Sequence, residues 1–327
     1  MDTLSTVLDG HRARGASLLR CEMRAPWSLR VQDEAALGLV VMVRGVAHLE
    51  PERGDPVLLR TGDLALVRGV RPYVFADAPG SSPIAVIEPG NVCRSLSGEH
   101  LAVTLGLGTR TWGNAGDQPG DTAFLTASWE LSSQVTGRLV DALPDVAVVR
   151  REDADPALAE VLAGEVQRDL PGQDVVLDRL VDLVLVGALR QWFARPDSAA
   201  PAWWSAGSDP VVGRALALVH GDPAHPWTLD GLATQVHVSR ATLSRRFTER
   251  LGQSPMAYLT HWRLARSADL LREGGRSVEQ VAREVGYANP FAFSAAFKRE
   301  HGVSPRGFRA AATSPGATTP VSAGGRR

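Results

Sequence analysis

Cysteine is nearly absent: the 327 residues contain two, Cys21 and Cys93. Two thiols cannot staple a small secreted scaffold, so the fold must rest on a hydrophobic core, and a cytosolic location is expected. Long apolar runs are also missing. A membrane helix needs roughly 18 continuous apolar residues, and the best stretch, 175–193, is interrupted by Asp178, Arg179 and Asp182. No membrane partner is expected. Residues 1–20 lack the continuous apolar core of a signal peptide, so export is not expected either. Histidine is scarce in the first half, where His11, His48 and His100 stand alone without a His-x-His pair. Net charge is missing too: 35 Lys+Arg face 36 Asp+Glu, a formal charge of −1.

That last absence is an average. Residues 210–309 hold 14 basic and 8 acidic residues, so this segment carries +6 and the rest of the chain −7. Thirteen of the 14 cations are Arg, and Lys298 is the other. Such asymmetry suggests that one part meets a polyanion. With roughly 100–200 residues per domain, the length favours two domains. A hydrophobic fraction of 44% is that of an ordinary globular protein.

Residues 16 to about 110 read as β. Short apolar runs at 37–43, 57–59, 64–67 and 84–87 are punctuated by Gly45, Thr61-Gly62-Asp63, Gly69 and Pro89-Gly90, the spacing of a sandwich or small barrel. Residues 110–121, rich in Gly, Asn and Pro, read as loop. From about Asp155 the period changes. Leu158, Val161, Leu162 and Val166 mark one helix face, Pro171-Gly172 breaks it, and Val176, Leu177, Leu180, Leu183, Val184, Gly187 and Ala188 mark a longer helix ending before Pro196. That helix packs on the β domain or pairs with a second subunit. The stretch 195–209 reads as a linker docked through Trp203-Trp204, and the residues after 310 as a disordered tail.

The basic segment contains an internal repeat. Phe247, Gly252, Ser254, Pro255 and Tyr258 recur 50 residues later as Phe297, Gly302, Ser304, Pro305 and Phe308, and Ala233 and Val236 recur 49 later as Ala282 and Val285. Each copy reads helix, turn, helix, glycine. In the first, Thr228 caps a helix carrying Leu232, Ala233 and Val236; His237-Val238 turns; Ser239 caps a helix that buries Leu243, Phe247 and Leu251. In the second, 277–280 is a capping box, Val281, Ala282 and Val285 face inward, Gly286 turns, and Phe293 and Phe297 anchor the next helix. Ser254 and Pro255 start the long helix between the copies.

These landmarks, Ala233-x-x-Val236-x-x-Ser239, Arg245-Arg246-Phe247, Gly252-x-Ser254-Pro255, Val285-Gly286-Tyr287, Phe297-Lys298-Arg299 and Gly302-Val303-Ser304-Pro305, fall in order over about 209–309. The segment resembles the double helix-turn-helix of the AraC/XylS bacterial transcription regulators. Residues Pro26-Trp27, Gly62-Asp63-Leu64, Cys93, Arg110-Thr111-Trp112-Gly113-Asn114 and Ala142-Leu143-Pro144 resemble the cupin-like sensor domain of one branch of that family. The resemblance implies an α+β, two-domain protein: a cupin-like β-barrel sensor over 1–150, a helical segment over 151–195 for transmission or dimerisation, a linker over 196–209, an all-α DNA-binding domain over 210–310 and the tail 311–327.

With Leu243 and Phe247 inward, the opposite helix face carries Ala241, Ser244, Arg245 and Thr248, flanked by Arg240 and Arg246. An Arg fork can pair with guanine O6 and N7, which makes Arg245 the best base reader. The resemblance places base contacts on Ala241, Ser244 and Arg245. The bland alternative is a solvated basic face. In the second copy the outer face is Phe291, Ser294, Ala295 and Lys298. Family members often carry Arg where this chain has Ala295. Phe291 and Ala295 can meet thymine methyl groups, while Lys298 and Arg299 suit phosphates. The first copy is therefore expected to carry most specificity.

Cupin enzymes hold a metal with His-x-His, a Glu and a further His, and this chain reads Val70-Arg71-Pro72-Tyr73 after Gly69, where a ligand histidine is expected. No metal, no cofactor and no catalytic residue are expected, although a cupin enzyme fused to a DNA-binding module stays open as the alternative, as does a nucleoid-type binder without a signal. Alkyl transfer needs a metal-activated thiolate cluster, which two isolated cysteines do not supply. Cys21 and Cys93 are redox candidates, because Arg20, Arg24 and Arg94 beside them favour thiolate, and some relatives in this branch respond to oxidants through cysteines. They read more readily as small buried hydrophobes. Trp27, Tyr73, Phe75 and Trp112 are candidate linings of an effector pocket, or plain core. The expected partners are double-stranded DNA, a small-molecule effector, a second copy of the chain, and RNA polymerase if the protein activates.

Overall fold

The computed structural model describes residues 17–69, 71–129, 137 and 139–313. Two compact units emerge: residues 17–129 with 140–200, and residues 201–313 with 137 and 139.

The first unit is built on β1 (Ser17–Met23), β2 (Ser28–Val31), β3 (Leu37–Arg44), β4 (Val46–Pro51), β5 (Val57–Arg60), β6 (Leu64–Val67), β7 (Tyr73–Ala76), β8 (Ala85–Glu88), β9 (Val92–Arg94), β10 (Gly106–Gly108), β11 (Thr111–Trp112), β12 (Thr122–Trp129) and β13 (Val146–Val149). One sheet has the order β10-β11-β1-β12-β3-β6-β13 and the other β5-β4-β7-β2-β8-β9. The core lies between them. Cys21, Met23, Val40, Met42 and Phe124 come from the first sheet, and Leu29, Leu49, Leu59, Phe75 and Cys93 from the second.

The β region runs past residue 110, where the sequence pattern suggested it ends. β12 pairs with β1 and β3 at the middle of its sheet. Its residues are nearly all buried, so the alternation that marks a half-exposed strand is absent. β3 is buried on both faces for a visible reason. Val40 and Met42 enter the core between the sheets, while α1 (Pro156–Glu165) and α2 (Gln173–Phe193) cover the outer face through β3 and β13. α2 buries Leu177, Val181, Val184, Leu185, Ala188 and Leu189. Val161, expected on the inner face of its helix, is instead exposed.

Two sequence landmarks brace this unit. The Asp63 carboxylate is 4% exposed and accepts hydrogen bonds from the Arg60 and Arg151 N–H groups at 3.0 Å and from Arg150 Nη1 at 2.8 Å, which ties the β5–β6 turn to the chain after β13. Asn114 closes a reciprocal pair with the Arg24 backbone, both bonds 2.8 Å.

The second unit is helical: α3 (Ala202–Ala206), α4 (Val212–Gly221), α5 (Leu229–Gln235), α6 (Arg240–Leu251), α7 (Pro255–Glu273), α8 (Val278–Glu284), α9 (Pro290–His301) and α10 (Pro305–Thr313). The expected caps are in place on Thr228, Ser239, Ser254 and Ser277, the last a full capping box. The two turns are equivalent in detail. Val238 N–H donates to Ala233 and Tyr287 N–H to Ala282, 49 residues apart. Both turns need a left-handed residue, supplied by Gly286 at φ 84° in the second and by His237 at φ 57° in the first. Part of the stretch read as linker is structured. α3 packs on α6, and Asp209 is buried at the start of α4. The signal was short, because five helical residues between prolines leave no periodicity. Of the tail, 311–313 end α10, and 314–327 lie outside the described residues.

Candidate nucleic-acid interface and sensor cavity

α6 inserts Leu243 and Phe247 into the helical core, both 0% exposed. Its outer face presents Arg240, Ala241, Arg245 and Thr248 to solvent, with Ser244 half-buried between them. Arg245 Nη1 donates to Glu249 Oε1 at 3.1 Å, and Arg240 pairs with Asp230 at 3.1 Å. Both pairs are exposed. Such a pair is worth about 0.3–0.5 kcal/mol, well under the ~1–3 kcal/mol of a guanine fork, so neither holds its Arg back from a base.

Arg246 is placed differently from its neighbours. Its Nη2 donates to Asp209 Oδ2 at 3.0 Å, and Arg250 approaches the same oxygen at 3.8 Å. The other Asp209 oxygen accepts the Val211 and Val212 N–H groups at the start of α4. Burial would raise the Asp209 carboxyl, but those two N–H groups and the two guanidinium groups outweigh it and hold it below the usual range. Arg246 thus joins α6 to the start of α4. The pairing of Arg246 with a residue 37 positions earlier leaves no mark in the sequence.

α9 repeats the geometry with other side chains. Phe293 and Phe297 are 0% exposed, while Phe291 is 85% exposed. Ala295, Lys298 and Arg299 are exposed as well, and Ser294 is half-buried. Phe297 packs edge-on against Phe308 of α10 at 5.4 Å.

The first unit holds a cavity of about 320 Å³ between its sheets, lined by Leu19, Leu29, Val40, Phe75, Trp112 and Phe124 among others. Tyr73, Phe75 and Trp112 line it as the sequence suggested. Trp27 does not: it is 1% exposed and packs behind Phe75 and Phe124 at 5.5 and 5.7 Å. Cys21 and Cys93 both line the cavity, a proximity that their separation in sequence hid. The arginines beside them do not offset burial. Burial pushes the Cys21 thiol far up, a charge on Cys93 or Glu22 would push it further, and Arg20 only partly opposes this. Burial alone pushes Cys93 up to about 11. Arg20 is spent on Glu22 at 2.6 Å and Arg94 on Glu88 at 2.8 Å. His48 is a half-buried strand residue whose Nδ1 lies 3.1 Å from the Asp77 carbonyl. Among the described residues, no three His, Cys, Asp or Glu side chains converge on a metal position.

Arg110 was not singled out as a pocket residue, yet it lines the cavity and binds the first turn of α2. Its Nη1 donates to Gln173 Oε1 at 2.8 Å, and its Nη2 to the Asp174 carboxylate.

Residues 2–194 match the cupin family model, and residues 232–311 match a helix-turn-helix domain. A putative AraC-like transcription regulator of Streptomyces antibioticus is 30% identical over 94% of this chain and 98% of its own. The chain belongs to the AraC-like transcription regulators. A putative AraC-like regulator of Streptomyces lividans is 29% identical over 96% of this chain and 100% of its own, and the HTH-type transcriptional regulator AlkR of Acinetobacter baylyi is 27% identical over 94% and 99%. These matches run over almost the whole of this chain and support a regulator, not a cupin enzyme with an appended DNA-binding module. As an AraC-like regulator, this protein binds DNA through its C-terminal domain. No helix among the described residues is long and apolar enough to cross a membrane.

Proposed function

We propose that this regulator reads its operator chiefly through α6, with Arg245 on a guanine and Ala241, Ser244 and Thr248 on neighbouring base edges. α9 enters a second stretch of major groove, with Lys298 and Arg299 on phosphates. The observation that carries this reading is the outward, weakly held fork of Arg245 beside an Arg246 that pairs with the buried Asp209. Recognition then centres on Arg245, whose guanidinium is held only by the exposed Glu249, rather than on a general basic face. A homodimer would double the contact set, and RNA polymerase would be a partner if the protein activates.

The cavity serves as the effector site in this proposal. Its walls are mostly apolar, its two thiols and Tyr73 are held in their neutral forms by burial, and Arg110 is already paired. This chemistry suits an uncharged, largely apolar small molecule rather than an oxidant. Arg110 would carry the signal, since a ligand that moves it also moves the start of α2.

The test is binding of the full chain to DNA upstream of its own and neighbouring genes, at fixed salt, with and without a panel of uncharged aromatic and aliphatic compounds, and with and without hydrogen peroxide. A compound-dependent change in affinity that persists in Cys21→Ser and Cys93→Ser supports the effector reading. A peroxide-dependent change lost in those variants replaces it with a redox switch. Equal affinity for promoter and random duplexes removes sequence-specific regulation itself.

A further inference from the structure

We infer that α9 reads the 5-methyl group of a pyrimidine rather than its hydrogen-bonding edge. Its part of the operator then accepts thymine or 5-methylcytosine and discriminates against uracil and cytosine. The inference rests on the reading that α9 lies in the major groove, and it adds what the helix recognises there.

The repeat supplies the comparison. At an offset of 50, Ala241, Ser244, Arg245 and Thr248 of α6 correspond to Phe291, Ser294, Ala295 and Lys298 of α9. The guanidinium that α6 offers to a base edge becomes a methyl group in α9. The small Ala241 becomes the largest apolar side chain on the face. The N-terminal half of that face is therefore apolar, with Phe291, Ala292 and Ala295 all exposed, and the cations Lys298 and Arg299 stand a turn further on. Of the chain's 8 Phe, 8 Trp and 3 Tyr residues, Phe291 alone is exposed.

Local structure holds Phe291 in this position. Asn289 Oδ1 accepts the Phe291 N–H at 2.8 Å and the Ala292 N–H at 3.4 Å, and Pro290 opens the helix. On the opposite side Phe293 and Phe297 are fully buried, which fixes the rotation of the helix. The ring is thus presented by a capped, anchored helix in a segment of net charge +6, and the polyanion it would meet is DNA.

In the major groove thymine shows a methyl group and an O4 acceptor, while cytosine shows an N4 donor and no methyl. Uracil is thymine without the methyl group. 5-Methylcytosine keeps the methyl and exchanges the acceptor for a donor. Phe291 and Ala295 have no donor or acceptor beyond the backbone, so they sense the methyl and are indifferent to that exchange. The Ser294 hydroxyl both donates and accepts and tolerates either partner. Burying one methyl group against them is expected to change affinity about fourfold, from the transfer free energy of a single buried carbon.

The experiment starts with duplexes selected from a random-sequence pool by the full chain. In the selected site each T·A pair is replaced in turn by U·A, 5-methylcytosine·G and C·G, and affinities are measured at fixed salt for wild type, Phe291→Ala, Phe291→Leu and Lys298→Ala. The expected result is at least one position where uracil and cytosine each weaken wild type about fourfold or more and 5-methylcytosine stays within twofold of thymine. Phe291→Ala abolishes the difference, and Phe291→Leu, which keeps an apolar contact, retains most of it. Phe291 is solvent-exposed, so its replacement leaves the fold intact, checked by an unchanged unfolding midpoint. If no uracil penalty depends on Phe291 while Lys298→Ala still reduces the salt dependence of binding, α9 lies on DNA and methyl reading is wrong. If neither Phe291→Ala nor Lys298→Ala alters binding or its salt dependence, α9 is not on the DNA, and both readings fall together. A position where 5-methylcytosine binds as weakly as cytosine shows edge reading and overturns the inference.

Discussion

Arg245 and Arg246 are adjacent and chemically identical, yet the fold gives them different work. Arg245 is 65% exposed and leans on an exposed Glu249, whereas Arg246 ends on a carboxylate that is 3% exposed. Arg245→Ala should cost about 1–3 kcal/mol of specific binding, a loss of about five- to 150-fold, with the unfolding midpoint unchanged. Arg246→Ala should instead lower stability by about 1–3 kcal/mol, because it strips a buried acceptor of one partner. Operator titration and urea denaturation of both variants separate the two roles, and a reversed pattern would refute the assignment. The outward register of Arg245 was legible from Leu243 and Phe247. The inward pull on Arg246 was not, since it depends on Asp209 lying beside α6.

At the scale of elements, the repeat fixes caps and turns while its surroundings fix their cost. Gly286 and Gly252 both have positive φ, but a Cβ at Gly286 would lie 2.7 Å from the Ala224 carbonyl oxygen, and one at Gly252 would meet open space. Gly252→Ala should therefore cost only the left-handed penalty of about 1 kcal/mol, and Gly286→Ala clearly more, as read from denaturation midpoints. α4 adds a pH dependence. His220 is buried, stacks on Trp262 at 3.8 Å between centroids and has its Nε2 2.8 Å from the Tyr258 hydroxyl. Burial lowers its pKa to about 3, against roughly 6.5 in the unfolded chain. Above pH 6.5 the ring is neutral in both states. As pH falls from 6.5 toward 3 only the unfolded state gains the proton, so the helical unit should lose stability over that window. A His220→Phe variant should show a flatter profile there, and an identical slope would exclude His220 as the source. The strands at 64–67 and 85–88 were readable from short apolar runs, whereas β12 was not, because burial on both faces removed its alternation.

For the whole molecule, the basic and acidic parts of the sequence correspond to separate compact units, and the proposed signal route lies within the acidic one. Arg110 joins the cavity wall to the first turn of α2. Arg110→Gln should leave DNA affinity without effector unchanged and remove the response to any compound that stabilises the protein. Thermal shift supplies the first readout and operator titration the second. A compound at a hundred times its Kd should stabilise by about 2.7 kcal/mol in wild type. If the variant still responds on DNA, the route does not pass through Arg110. The position of Arg110 in a cupin-like motif was visible in sequence, but its bond to Asp174, 64 residues later, was not.

The sequence by itself determined the two-domain plan, the duplicated helix-turn-helix, its caps and the face each recognition helix turns outward. All of these depend on spacings of three to five residues, or on one repeat, and such local rules are written in order along the chain. Tertiary structure alone decided that Cys21 and Cys93 line one cavity where burial pushes their thiols up, that Trp27 lies behind that cavity rather than in it, that Arg246 reaches Asp209 at the start of α4, and that Arg110 reaches α2. Each of these depends on desolvation or on a partner distant in sequence, and neither is set until the chain has folded around it.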